Sequence, residues 1–182
     1  MLKTSILGKI SKITHDQRGV SAVEFALLAP MMIGLYLGCV EISQGVSADR
    51  KVSLVSAALA NLSAQVTTIS ASDMTNILDA SGAIISPFNA SLLKMTVSCL
   101  KIDANKNVTV KWSVTRNGAA NSGSMTIPSA LAVANSQLLL AEASYAYTPI
   151  VGYTISGTLT LSDKMYMSPR ITAPTYGSTT CT

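Results

Sequence analysis

Histidine is almost missing from this chain: the single one, His15, lies in a basic N-terminal stretch, so everything after it lacks the commonest general base and transition-metal ligand. Charge is also scarce. Asp, Glu, Lys and Arg make up 12% of the residues while 48% are hydrophobic, and a charged share near half the usual one suits a membrane-attached or extracytoplasmic protein better than a cytosolic one. No phosphate-cradling glycine loop and no G-x-S-x-G elbow occurs. Ser91-Leu92-Leu93-Lys94 matches S-x-x-K, but it sits in a strand-like stretch with no K-T-G partner and reads as chance. These gaps predict a protein that is not an enzyme and uses neither cofactor nor metal.

A basic surface is missing as well, although the formal net charge is +4. Residues 1–19 hold Lys3, Lys9, Lys12 and Arg18 against Asp16, which leaves nine basic and eight acidic side chains in the rest of the chain. The excess belongs to the leader, so no stripe remains for phosphate contacts and no nucleic-acid partner is expected. At 182 residues there is room for one domain and an anchor.

What is present is a long apolar run. From Val20 to Val40 the only charge is Glu24, in the stretch RGVSAVEFALLAP, and at about 1.5 Å per residue a helix of that length approaches the ~30 Å hydrocarbon layer. Four basic residues precede it and only Arg50 and Lys51 follow closely, beside Asp49, so the positive-inside rule puts the N-terminus in the cytoplasm. An acid at such a place is costly unless it has a use. Taken from the residues alone, the run is an ordinary anchor with Glu24 near the headgroups, a long secretory signal cut near Val46-Ser47-Ala48, or a lipoprotein signal ending at Leu37-Gly38-Cys39. Pro30 predicts a kink that membrane helices tolerate, and Gly34 with Gly38 would permit close helix packing.

Gly19, Val20-Ser21-Ala22-Val23, Glu24-Phe25 and the apolar helix together resemble the class III signal of type IV pilins and pseudopilins. The wording RGVSAVEFALLAP is closer still to the TadE-like minor pilins of the tight-adherence (Flp/Tad) pilus. The resemblance implies that a prepilin peptidase cuts between Gly19 and Val20 on the cytoplasmic side. It also implies that Glu24, beside Phe25, faces the new N-terminal amine of a neighbouring subunit. Two charges leave water favourably only when they meet, which would make the acid a register device. Glu142-Ala-Ser-Tyr145-Ala-Tyr147-Thr-Pro149 looks like the family's tyrosine-containing strand, and Met167-Ser168-Pro169-Arg170 like its closing Pro-Arg.

Beyond the run, apolar residues at 55, 59, 62, 66 and 69 give the stripe of an amphipathic helix. It should continue the membrane helix, with fraying near Gly45. Ser72-Asp73 predicts a second helix start, with Met74, Ile77 and Leu78 on one face, Gly82 as its stop and Pro87 ending the region. LLKMTVSCLKID and NVTVKWSVTRNG, joined by ANKN, predict a hairpin in which Val108, Val110, Trp112 and Val114 share one apolar face. Residues 119–123 read as a loop, Pro128-Ser129 as a helical turn through Asn135, Gln137–Thr148 as a strand, and 154–161 with 164–167 as further extended chain. Helices followed by an antiparallel sheet predict an α+β fold, with a long pilin-like stem packed on a small sheet domain. The expected divisions are leader 1–19, membrane helix 20–42, helical stem 43–70 and extracytoplasmic domain 71–182.

Of three cysteines, Cys39 lies in the apolar run, while Cys99 and Cys181 would face an oxidising compartment, where a bridge would pin the tail to the sheet. Two separate thiols are the alternative. Trp112 reads as sheet core, and Tyr145 and Tyr147 as core or a subunit contact. Together with the resemblance, these residues predict a minor pilin or pseudopilin in the bacterial inner membrane, with its C-terminal domain periplasmic or carried into an extracellular pilus for surface attachment. Its partners would be the prepilin peptidase, other pilin subunits and the membrane. A membrane-anchored binding protein outside any filament is the second reading.

Overall fold

The computed structural model describes residues 19–149 and 157–181. The leader, with His15 and Arg18, and residues 154–156 of the expected extended stretch lie outside the described residues.

The first element, α1, is one helix over Val20–Ala64. Its first part stands clear of everything else, with Val23, Phe25, Leu27, Met31, Leu35 and Tyr36 exposed. From Glu41 onward one face is buried, and Ala48, Val52, Val55, Leu59 and Ala60 are closed off completely. Fully burying a Val or Leu contributes roughly 1.5–3 kcal/mol, so this second half is held by packing rather than by helix propensity. No fraying occurs at Gly45. A methyl group there would lie 3.6 Å from Tyr147 Cε1, so the helix meets the tyrosine ring at this glycine.

The helix stops at Ala64, short of the expected stem end at residue 70. Two contacts terminate it: the Gln65 amide donates to the Leu62 carbonyl at 3.4 Å and the Arg170 amide to the Ala64 carbonyl at 3.1 Å. The anticipated stripe therefore breaks up. Val55 and Leu59 are buried, Leu62 is half-buried, Val66 is exposed beyond the helix, and Ile69 is buried in β1 (Thr68–Ile69).

The second helix, α2 (Ala71–Gly82), starts two residues before the expected Ser72-Asp73 because Ser70 builds a capping box. Ser70 Oγ accepts from the Asp73 amide at 3.1 Å, and Asp73 Oδ2 accepts from the Ser70 amide at 3.0 Å. The Ser70 hydroxyl, donating to Asp73 Oδ2 at 2.6 Å, and then the Ser70 amide favour the carboxylate and hold Asp73 below its ordinary pKa of 3.8. Met74 and Leu78 point into the core, and the helix ends at Gly82, where a short 3-10 turn, Ala83–Ile85, leads to Pro87.

Four strands form an antiparallel sheet: β2 (Leu93–Ile102), β3 (Val108–Arg116), β4 (Ser136–Tyr147) and β5 (Leu159–Met167), in the order β3-β2-β4-β5. A short tail strand, β6 (Thr175–Tyr176), pairs in parallel with β1. The helical turn after Pro128 covers only Ser129–Leu131 rather than reaching Asn135.

Both sheet faces are used. The α1 face carries Val97, Cys99, Leu139, Ala141, Tyr145 and Tyr147 in the main core. The opposite face buries Leu100, Ile102, Leu138 and Leu140 under Ile127 in a second, smaller cluster. The hairpin corrects the single apolar face expected for β3. Cys99 pairs with Trp112 but Leu100 pairs with Val110, so a bulge at Lys111 shifts the phase. Trp112 and Val114 consequently belong to the main core, and Val108 and Val110 to the second cluster. The fold is α+β, with a long N-terminal helix on a small antiparallel sheet domain.

Candidate functional site

Gly19 is the N-cap of α1, with φ −82° and no side-chain cap. Glu24, one turn into the helix, and Phe25 are both exposed. Pro30 lies inside the helix and cannot donate to the carbonyl four residues earlier. Its neighbours Met31, Gly34, Gly38 and Cys39 line a shallow apolar groove on the same stretch, and Cys39 is exposed there as a free thiol. Over Val20–Val40 the helix measures about 31 Å, and α1 is long and apolar enough to cross a membrane by length and composition.

At the base of the domain the chemistry changes. Glu41 is buried at 4% exposure, one turn before the close approach of Gly45 to Tyr147. Phe88 caps this corner, its ring 6.1 Å from that of Tyr145 and 6.2 Å from that of Tyr147. The Tyr147 hydroxyl has no hydrogen-bond partner among the described residues. Burial first, then the nearby charge of Glu41, pushes its pKa above the ordinary 10.0. Both tyrosines are thus core residues in this chain, rather than a free contact surface.

Further out, Ser56 Oγ donates to Asp163 Oδ2 at 2.6 Å, linking α1 to β5. At the far end Arg170 Nη2 donates to Asn61 Oδ1 at 2.6 Å. The tail then crosses the sheet, where Trp112 Nε1 donates to the Pro174 carbonyl at 3.0 Å and the Trp112 and Tyr176 rings lie 5.7 Å apart. Cys181 ends this path in a disulfide with Cys99, Cα to Cα 6.0 Å. On the opposite sheet face Asn121 bonds Ser98 and Glu142, and Lys164 Nζ lies 2.7 Å from Glu142 Oε1. That bond to Glu142 holds the Lys164 ammonium above its ordinary pKa of 10.5.

The structure thus separates the residues singled out from the sequence into two groups. Gly19, Val20, Glu24, Phe25 and Pro30 lie on the projecting helix, while Cys99, Cys181 and Trp112 lie in the domain. Glu41 and the Ser56–Asp163 pair escaped sequence reading. Glu41 had one signal, as the first acid after the apolar run, but nothing local shows that a sheet will close over it. Among the described residues no group of three His, Cys, Asp or Glu side chains could hold a metal ion.

No curated protein matches the chain, and no solved structure does. One family model, described as TadE-like protein, matches residues 19–60, from the N-cap of α1 to near the end of its packed half. Over that segment the chain is similar to TadE-like proteins.

Proposed function

We propose that the protein is a minor pilin or pseudopilin of a Flp/Tad pilus, stored in the inner membrane through α1 and assembled by non-covalent docking. The observation that carries this reading is the division of α1 into an exposed apolar half of membrane length and a half packed on the domain. Such a shape lets one helix serve first as an anchor and later as a packing rod.

Gly19 supports processing at the Gly19–Val20 bond. Its φ is −82°, which any residue adopts, and a Cβ there would meet nothing within 4 Å among the described residues. The fold gives no steric reason for glycine, whereas a peptidase that must lay the backbone into its cleft does. Cleavage would leave a cationic amine on Val20, at the very start of α1. Glu24, exposed one turn along, is free to meet the amine of a neighbour. In an apolar setting neither charge is stable alone, so docking would be favourable only in register.

The N-terminal residue of the protein taken from its native membrane tests the reading. A start at Val20 supports it; a start at Met1, Cys39 or Asp49 means a plain anchor, a lipoprotein or a secreted protein, and removes it. Glu24→Ala should keep membrane insertion and abolish pilus assembly, and normal piliation would overturn the register role. Gly19→Arg should block the leader cut without blocking insertion.

A further inference from the structure

We infer that the base of the extracytoplasmic domain is itself a lipid-contacting surface, seated in the headgroup layer of the membrane that α1 crosses. The inference rests on the reading of α1 as a spanning helix.

Depth carries the first part of the argument. Residues 20–40 account for about 31 Å, the whole of the hydrocarbon layer. A bilayer measures about 40–45 Å with its interfacial regions, so roughly 5–7 Å of headgroup layer remains on each side. At about 1.5 Å per residue, helix residues 41–45 occupy that layer. The domain begins at this height, since Glu41 and Gly45 are the first buried residues of α1 and Gly45 meets Tyr147 at the end of β4. No spacer lifts the domain clear of the bilayer.

The second part is what the base presents. Pro87 and Phe88 flank the helix beside Ser43 and Ser47. On another side Leu159 flanks Ile42 and Val46. Leu92 immediately precedes Leu93, the partner of Tyr145 two residues before the end of β4, and so stands at the same height. Leu92 remains 43% exposed and Leu159 45% exposed. These groups are continuous with the apolar surface of α1 below them, where Ile42 and Val46 are exposed as well. The carboxylate at this level, Glu41, is turned into the protein. An apolar rim around a helix at interfacial depth, with Glu41 withdrawn and the exposed Asp49 two turns further from the membrane, matches a lipid surface.

The full chain, carrying Cys39→Ser, is reconstituted in phosphatidylethanolamine and phosphatidylglycerol vesicles. Single spin labels are placed at Leu92→Cys, Leu159→Cys, Leu28→Cys and Ile171→Cys, and retention of the Cys99–Cys181 bridge is checked by mass. Leu28 reports the span, and Ile171 reports the distal tail, which is 70% exposed. Collisions with lipid-soluble oxygen should exceed those with a water-soluble nickel complex at Leu28, Leu92 and Leu159, and the order should reverse at Ile171. Leu92 and Leu159 behaving like Ile171, while Leu28 reads as lipid-exposed, would overturn this proposal alone. A water-exposed Leu28 would overturn the spanning reading and this proposal with it. If labelling disturbs the bridge, hydrogen exchange on the unmodified chain decides: amides of residues 88–92 should exchange more slowly in vesicles than in short-chain detergent, and equal rates would sink the idea.

Discussion

The Ser56 hydroxyl donates to Asp163 across 2.6 Å, tying the centre of α1 to β5 over 107 residues of sequence. Ser56 is fully buried, and its hydroxyl also reaches the Ser53 carbonyl at 2.9 Å. Ser56→Ala would leave the half-buried carboxylate without this donor, a loss of about 1–3 kcal/mol. Urea unfolding of the detergent-solubilised protein should show a lower midpoint with an unchanged slope, and Ser56→Ala combined with Asp163→Asn should recover part of it. An unchanged midpoint in the single variant would show the bond to be dispensable.

The bulge at Lys111 is a second place where one residue controls many. Removing Lys111 would make Val110 and Trp112 consecutive and leave each on the face it already occupies, whereas inserting one residue after Lys111 would turn Val108 and Val110 away from Leu100, Ile102 and Leu140. The insertion should lose cooperative thermal unfolding, whereas Lys111→Ala, which keeps the residue count, should melt within a few degrees of wild type. Similar melting of the two would refute the phase argument.

Cys99 and Cys181 close a loop with a sequence separation of 82, and both are fully buried. Chain entropy assigns a bridge of that span a stabilisation of about 4.5 kcal/mol. Digestion without reductant should yield the Cys99 and Cys181 peptides as one mass that splits on reduction. Cys99→Ser with Cys181→Ser should unfold at clearly lower denaturant, and two free thiols in protein from its native compartment would end the argument.

Asp73 gives a pH dependence with a definite sign. Its folded pKa is lowered by the Ser70 bonds, so its contribution is present above the ordinary value of 3.8 and disappears as the pH falls through the folded value. Asp73→Asn should therefore melt below wild type at neutral pH, with the gap closing as the pH drops under 3.8. A gap that stays constant into acid would mean that the carboxylate charge is not what caps α2.

Much of this protein is legible without coordinates because its signals are local. An apolar run of membrane length, the VSAVEFALLAP wording, the strand-like stretches of β2 and β4 and the alternation of β3 each lie within one short stretch of chain, and the order of helices then strands follows from them. The α2 start was displaced by two residues because a Ser70 to Asp73 box competes with the Ser72-Asp73 pair, and only the bonds formed decide between them.

What the sequence could not determine is what depends on distant neighbours. The end of α1 at Ala64 is set with the help of Arg170, more than a hundred residues later. The two faces of β3 depend on a bulge, since alternation along a strand carries no record of the residue its partner omits. The burial of Glu41 likewise follows from the sheet closing over a helix that by itself presents the acid to solvent. Periodicity within one segment determined which elements form; contacts between segments decided where they end, which way they face and which charges they hide.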